Sequence, residues 1–202
     1  MKDISVKALA KINLGLDVVR KREDGYHEVR MVMQTIHLFD RLEISKNTSG
    51  EITMETNLSF LPTNENNLVY KAAKLLQDEF AIKDGVHVWL HKYIPVAAGM
   101  AGGSTDAAAV LYGMNQIFDL GLTREELMER GVKIGADVPY CIMRGTALAE
   151  GIGEKLSKLP PMVKCPVLIA KPQISVSTKF VYENLKLGSD MVHPDIDRLV
   201  AD

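Results

Sequence analysis

The chain has 202 residues, 47% of them hydrophobic, and a formal net charge of −2. That is enough for one large domain, or one domain and part of a second, and the charge gives no electrostatic footprint for nucleic acid. The apolar runs fall far short of the ~20 residues a membrane helix needs. The N-terminal MKDISVKALAKINLGL carries charges through its apolar part, unlike a signal peptide.

A cytoplasmic protein is therefore expected, with Cys141 and Cys165 as reduced core thiols. No metal site is expected. His87 and His91 share a face of VHVWLHKY, but no acidic or cysteine cluster adds ligands at a recognisable spacing.

Residues 12–18 alternate: Ile12, Leu14, Leu16 and Val18 on one face, Lys11, Asn13, Gly15 and Asp17 on the other. This is the pattern of a half-buried strand. Asp24 and Gly25 supply hairpin chemistry, and strands follow over 26–38 and 41–45. Residues 47–66 are polar and turn-rich. A helix with an asparagine cap starts at 66–67, and 86–93 reads as a strand. A glycine loop then runs into a helix over 104–118, with Ala107, Ala108, Leu111, Met114 and Phe118 as its apolar stripe. A capping box, Thr123 with Glu126, opens a helix over 123–133. Residues 146–156 form a hairpin through Gly151 and Gly153.

Composition changes near Pro160 and Pro161. A short buried strand is expected at 167–170, a helix at 177–187, and a short helix capped by Asp195 near the end. A boundary falls there: 1–158 as a first lobe, 159–202 as the incomplete start of a second lobe.

Chemistry concentrates in two places. In PVAAGMAGGST, residues 95–105, Gly99, Gly102 and Gly103 let the backbone approach a ligand closely. The helix that follows presents unpaired amides and the positive end of its dipole, which suits phosphate. The Ser104 and Thr105 hydroxyls can serve a phosphate or a magnesium ion. The spacing matches neither the P-loop nor the dinucleotide fingerprint. In GADVP, residues 135–139, Asp137 stands before a proline break, as a catalytic acid group or a turn former. Lys11 is a solvated edge charge or a ligand group, with Asn13 about 7 Å along the same face. Tyr26 and His27 follow the hairpin turn; as successive strand residues they should face opposite ways.

AKINL at 10–14, DGYH at 24–27, the glycine loop and GADVP, in that order, resemble the GHMP kinase superfamily. The Lys-Ile-Asn and Gly-Tyr-His segments resemble, more narrowly, the branch whose acceptor is 4-diphosphocytidyl-2-C-methyl-D-erythritol. The resemblance implies an α+β, two-domain GHMP kinase fold, with an N-terminal lobe like ribosomal protein S5 and a partial C-terminal lobe. It implies ATP and Mg2+, with Pro95, Val96, Ala97, Ala98, Gly99, Met100, Ala101, Gly102, Gly103, Ser104 and Thr105 around the phosphates. Lys11 and Asp137 would be the catalytic pair, with Asn13 supporting the transferred group or the substrate. Tyr26, His27 and Tyr182 would hold the cytidine end, Thr178 would lie nearby, and Phe180 competes with Tyr182 for the aromatic role. The implied activity is phosphorylation of the acceptor's 2-hydroxyl in isoprenoid precursor synthesis without mevalonate. The implied partner is this small molecule alone, with neither nucleic acid nor membrane, for a monomer or weak homodimer.

Two departures from the family pattern stand out. Alanine occupies positions 97, 98 and 101, where many relatives carry glycine, and Thr105 replaces serine. The superfamily's third glycine-rich motif has no counterpart before residue 202. The alternatives are therefore a truncated, catalytically silent protein that only binds nucleotide, or another GHMP small-molecule kinase.

Overall fold

Two long strands dominate the architecture. β1 (Asp3–Lys21) and β2 (His27–Asn47) pair antiparallel for nearly their whole length. At the turn between them Gly25 takes a φ of +84°. The Asp24 carboxylate accepts the Tyr26 amide at 3.1 Å and is held in place by Arg22. The computed structural model describes residues 3–172, 174, 177–188 and 191–201, with only the backbone of Thr178 and Lys179.

β1 covers one edge of β2. The other edge is shared, by β5 (Thr146–Gly151) along 29–34 and by β4 (Gly85–His91) along 41–47. β3 (Ile52–Thr56) adds parallel to β4, and β6 (Lys155–Lys158) antiparallel to β5. In the gap between β5 and β4, β2 bonds to irregular chain. Thr35 N–H donates to Gly145 O at 3.0 Å, and Asp40 accepts the amides of Tyr93 and Ile94.

Helices cover one face of this mixed sheet. α1 (Leu68–Glu79) starts at Asn67, whose side chain accepts the Val69 amide. α2 (Gly102–Ile117) is buried along almost every side, including the expected Ala107, Ala108, Leu111 and Met114. α3 (Arg124–Val132) opens on the Thr123–Glu126 capping box, with both reciprocal bonds made. α4 (Val138–Met143) packs against α3 and α2. Tyr140, Leu76, Leu111, Met114 and Ile117 are among the largest side chains fully enclosed between helices and sheet.

Several expectations are corrected. The strands foreseen at 26–38 and 41–45 are one strand, because Phe39 and Asp40 continue the ladder opposite Leu9 and Ala8. The polar stretch 47–66 contains β3. The proline in GADVP does not break structure: it sits in the first turn of α4, where a missing N–H is harmless. The two-face reading of β1 fails, since Lys11 and Asp17 are buried while Leu14 and Leu16 are exposed. Register shifts at Leu9/Lys11, Asn13/Gly15 and Val18/Arg20 re-aim the side chains.

Beyond β6, residues 159–172 form neither helix nor strand. The buried strand expected at 167–170 is absent: Leu168 is 97% exposed. α5 (Thr178–Asn184) is shorter than foreseen and is capped by Ser177, whose side chain accepts the Phe180 amide. Tyr182, Leu185 and Leu187 pack on the main core. α6 (Ile196–Ala201) docks on β1 and β2 through buried Ile196 and an Asp197–Arg30 ion pair at 2.7 Å. Asp195 accepts the Arg198 amide, the cap expected of it. Cys141 is a buried free thiol, whereas Cys165 is exposed rather than a core thiol.

Candidate active site

The loop between β4 and α2 is shaped for an anion. Ala97, Gly99 and Ala101 all have positive φ, of 54°, 71° and 54°. Ala101 occupies the N-cap position of α2 and has no side chain that could bond the first amides. The N-terminal amides of α2 therefore keep their hydrogen-bonding capacity for a ligand. Space is tight at Gly102: a Cβ there would come 3.0 Å from Lys92 Nζ and 3.2 Å from Ile94 Cγ2.

A cleft of about 1240 Å³ opens over this loop. All of Pro95 through Ser104 line it, and so do Lys11, Asn13, Tyr26, His27, Asp137 and Tyr182. Thr105 does not. It is 2% exposed, and its hydroxyl donates to Leu9 O at 2.8 Å, so it anchors α2 to β1 instead of facing a phosphate. The side chain of Thr178 lies outside what is described.

The catalytic candidates meet because β1 departs from its ladder. At the Leu9/Lys11 shift the Lys11 amide leaves β2 and donates to Met100 O in the glycine loop at 3.2 Å. The lysine side chain turns inward and is nearly buried. Its Nζ donates to Asn13 Oδ1 at 3.2 Å and lies 3.8 Å from Asp137 Oδ2. Asp137 is the N-cap residue of α4, but its side chain makes no cap bond, which leaves the carboxylate free to face the cleft. Beneath it Cys141 is buried, and burial pushes its thiol well above the ordinary range, so it serves as packing. Tyr140 donates to Gly145 O at 2.6 Å and bonds the Thr35 hydroxyl, fixing α4 against β2.

The other end of the cleft is aromatic. His27 opens β2 and stacks on Tyr182, with ring centroids 4.8 Å apart and 25° between planes. Tyr26 stands before the strand, 60% exposed. Both residues thus reach one cleft even though they are adjacent in sequence, because only one of them belongs to the strand. Phe180 is 60% exposed and does not line the cleft, which favours Tyr182 of the two.

Among the features not foreseen are two groups of residues beside the glycine loop. Leu61, Pro62, Asn66, Asn67 and Leu68 flank the glycine loop. The Asn-Asn pair was legible only as a cap, and Asn67 also donates to Pro62 O, shaping this wall. Below the loop lies a buried ion cluster, Lys92 with Asp40 and Asp106. Its three members come from β2, the end of β4 and α2, and nothing in their separate sequence contexts joins them.

The GHMP kinases N terminal domain matches residues 67–145. The chain is 62% identical over 197 residues to the 4-diphosphocytidyl-2-C-methyl-D-erythritol kinase of Lachnoclostridium phytofermentans, covering 98% of this chain and 68% of that one. It is 59% identical over 200 residues to the enzyme of the same name from Lachnospira eligens, covering 99% and 69%. A crystal structure of 4-(cytidine 5'-diphospho)-2C-methyl-D-erythritol kinase superposes with a TM-score of 0.79 at 32% identity, over 98% of this chain and 70% of that one. Homoserine kinase from Cytophaga hutchinsonii shares the fold alone, with a TM-score of 0.69 at 17% identity, over 100% and 67% of the two chains. Among the described residues no helix is long and apolar enough to cross a membrane.

Proposed function

The chain belongs to the 4-diphosphocytidyl-2-C-methyl-D-erythritol kinase family of GHMP kinases, and from that premise we propose that it phosphorylates the 2-hydroxyl of this cytidine diphosphate-linked alcohol with ATP. The step serves isoprenoid precursor synthesis that bypasses mevalonate. One observation carries the reading: the Lys11–Asp137 pair, at 3.8 Å, faces the same cleft as the uncapped N-terminus of α2.

Phosphoryl transfer passes through a loose transition state, so positioning and charge neutralisation dominate over nucleophile strength. The loop amides and Ser104 receive the ATP phosphates. Ser104, which lines the cleft, would help hold a magnesium ion, and that ion would offset the charge of the phosphates. Asp137 orients the acceptor hydroxyl and takes its proton late in the transfer. Lys11 offsets charge on the moving phosphoryl group, and Asn13 Oδ1 holds the lysine head in register. Tyr26, His27 and Tyr182 receive the cytosine, where stacking contributes ~1–3 kcal/mol per base. Opening the His27–Tyr182 stack lets the base take one ring's place. Tyr182 and Leu185, which line the cleft, belong to the start of a second lobe that closes this end.

The test is a coupled ADP-release assay with 4-diphosphocytidyl-2-C-methyl-D-erythritol and Mg-ATP, beside the Asp137→Asn variant. Turnover in the parent protein that disappears in the variant supports the reading. Preferential turnover of mevalonate or homoserine, or full activity in the variant, overturns it.

A further inference from the structure

The phosphate loop has two ends, and both meet at one buried ammonium. At the entry, residues 92–94 run past the last ladder pair of β4 and are held by side chains instead. Asp40 Oδ1 accepts the amides of Tyr93 at 2.5 Å and Ile94 at 2.8 Å. Asn57 brackets Lys92, accepting its amide at 2.7 Å and donating to its carbonyl at 3.0 Å. At the exit, Asp106 lies in the second turn of α2. Lys92 Nζ donates to Asp40 Oδ2 and, at 2.8 Å, to Asp106 Oδ2. The side chains of all three are at most 4% exposed. Gly102 packs directly over the same ammonium.

Resting on the kinase reading above, we infer that Lys92 and Asp106, with Asp40, form a positioning clamp that sets the span of the phosphate loop and so governs nucleotide affinity. A buried ammonium with two carboxyl groups is a poor means of stabilising a fold, because replacing such a cluster by apolar residues is often neutral or stabilising. The Asp106 Oδ1 atom is buried without a hydrogen-bond partner, a further burden on the folded state. What the cluster provides is geometry. It fixes the distance between the first residue before the loop and the first turns after it, while the loop itself holds two alanines in a left-handed conformation. None of the three residues contacts the Lys11–Asp137 pair through any described bond, and Lys92 and Asp106 lie in the wall at the phosphate end of the cleft, so the clamp acts on that end.

The experiment measures ADP binding by calorimetry and steady-state rates for Asp106→Ala and Asp106→Asn. Asp106→Ala removes the exit bond and leaves Lys92 paired one-to-one with Asp40, so the fold is retained. ADP affinity and KM for ATP should worsen about tenfold, the size of one charged hydrogen bond. kcat at saturating ATP and KM for the acceptor should stay near parent values. Asp106→Asn restores an acceptor for Lys92 and should bring affinity back. Asp106→Ala binding ADP as well as the parent, an equal loss in acceptor KM, or no rescue by Asp106→Asn would each overturn the clamp. A parent protein that binds no ADP overturns the kinase reading and the clamp with it, whereas unaffected variants of a nucleotide-binding parent overturn the clamp alone.

Discussion

The two ends of the cleft are built by different means. The end proposed for phosphate is backbone: a loop with three left-handed residues, uncapped helix amides, and an ion cluster buried beneath it. The end proposed for the acceptor is side chain: Tyr26 on a turn, His27 at a strand end, and Tyr182 on a helix of seven residues. Every nucleotide carries the same phosphates, and fixed amides serve all of them. A base must be told from other bases, and that requires particular rings. Backbone that must hold a strained shape is braced from below, whereas rings that close on a ligand need room to move. Their mutual stack at 4.8 Å is a contact that a base can replace.

This contrast can be broken in four places. The largest expected effect is at the junction of the two ends: Asp137→Asn should lower kcat by about 10²–10⁴-fold, the usual contribution of a positioned proton acceptor, with ADP affinity unchanged by calorimetry. Tyr182→Leu should raise acceptor KM by about 5- to 150-fold, the equivalent of one lost stacking partner, and leave KM for ATP alone. Equal losses for both substrates would erase the distinction between the ends. The third test is pH. Burial pushes the Asp106 carboxyl up to about 8, outweighing the pull of Lys92. A carboxyl whose pKa is raised by folding binds its proton more tightly in the native state, so its contribution to stability falls as pH rises from about 4 to 8. The melting temperature of Asp106→Asn relative to the parent should climb by a few degrees across that window, and a flat difference would show that the group carries no such shift. The smallest effect is Ala101→Gly. Relief of a left-handed alanine is worth roughly 1–2 kcal/mol before the added freedom of glycine in the unfolded chain offsets part of it. The net expectation is about 2 °C in melting temperature.

Sequence pattern made the backbone end legible and much of the side-chain end as well, for separate reasons. The glycine loop, the asparagine cap and the Thr123–Glu126 box are local chemistry, and local chemistry survives into the fold. The Lys11–Asp137 pairing rested on resemblance, since a separation of 126 positions hides it from any local pattern. Its cause is a register shift in β1 at Ala10, and alternation cannot reveal a shift: Leu14 and Leu16 look like core residues yet are exposed. The hydroxyl of Thr105 was misplaced for a similar reason, because a helix-start threonine gives no sign that a strand carbonyl, Leu9 O, lies within reach. The buried strand expected at 167–170 was an apolar run without neighbours to pair with. The Lys92–Asp40–Asp106 cluster was invisible because each member reads as an ordinary surface charge until the sheet and α2 assemble.

The sharing of one edge of β2 by two later strands bears on how the chain is made. Arg30 in β2 bonds Glu150 in β5, 120 positions downstream. On a ribosome adding about 5–20 residues per second, β1 and β2 emerge on the order of ten seconds before β5 exists. Through that interval the hairpin lacks its β5 partner along residues 29–34. A nascent chain stalled between α2 and β5 would therefore be the species most in need of a chaperone, and the one most prone to pair with a copy of itself.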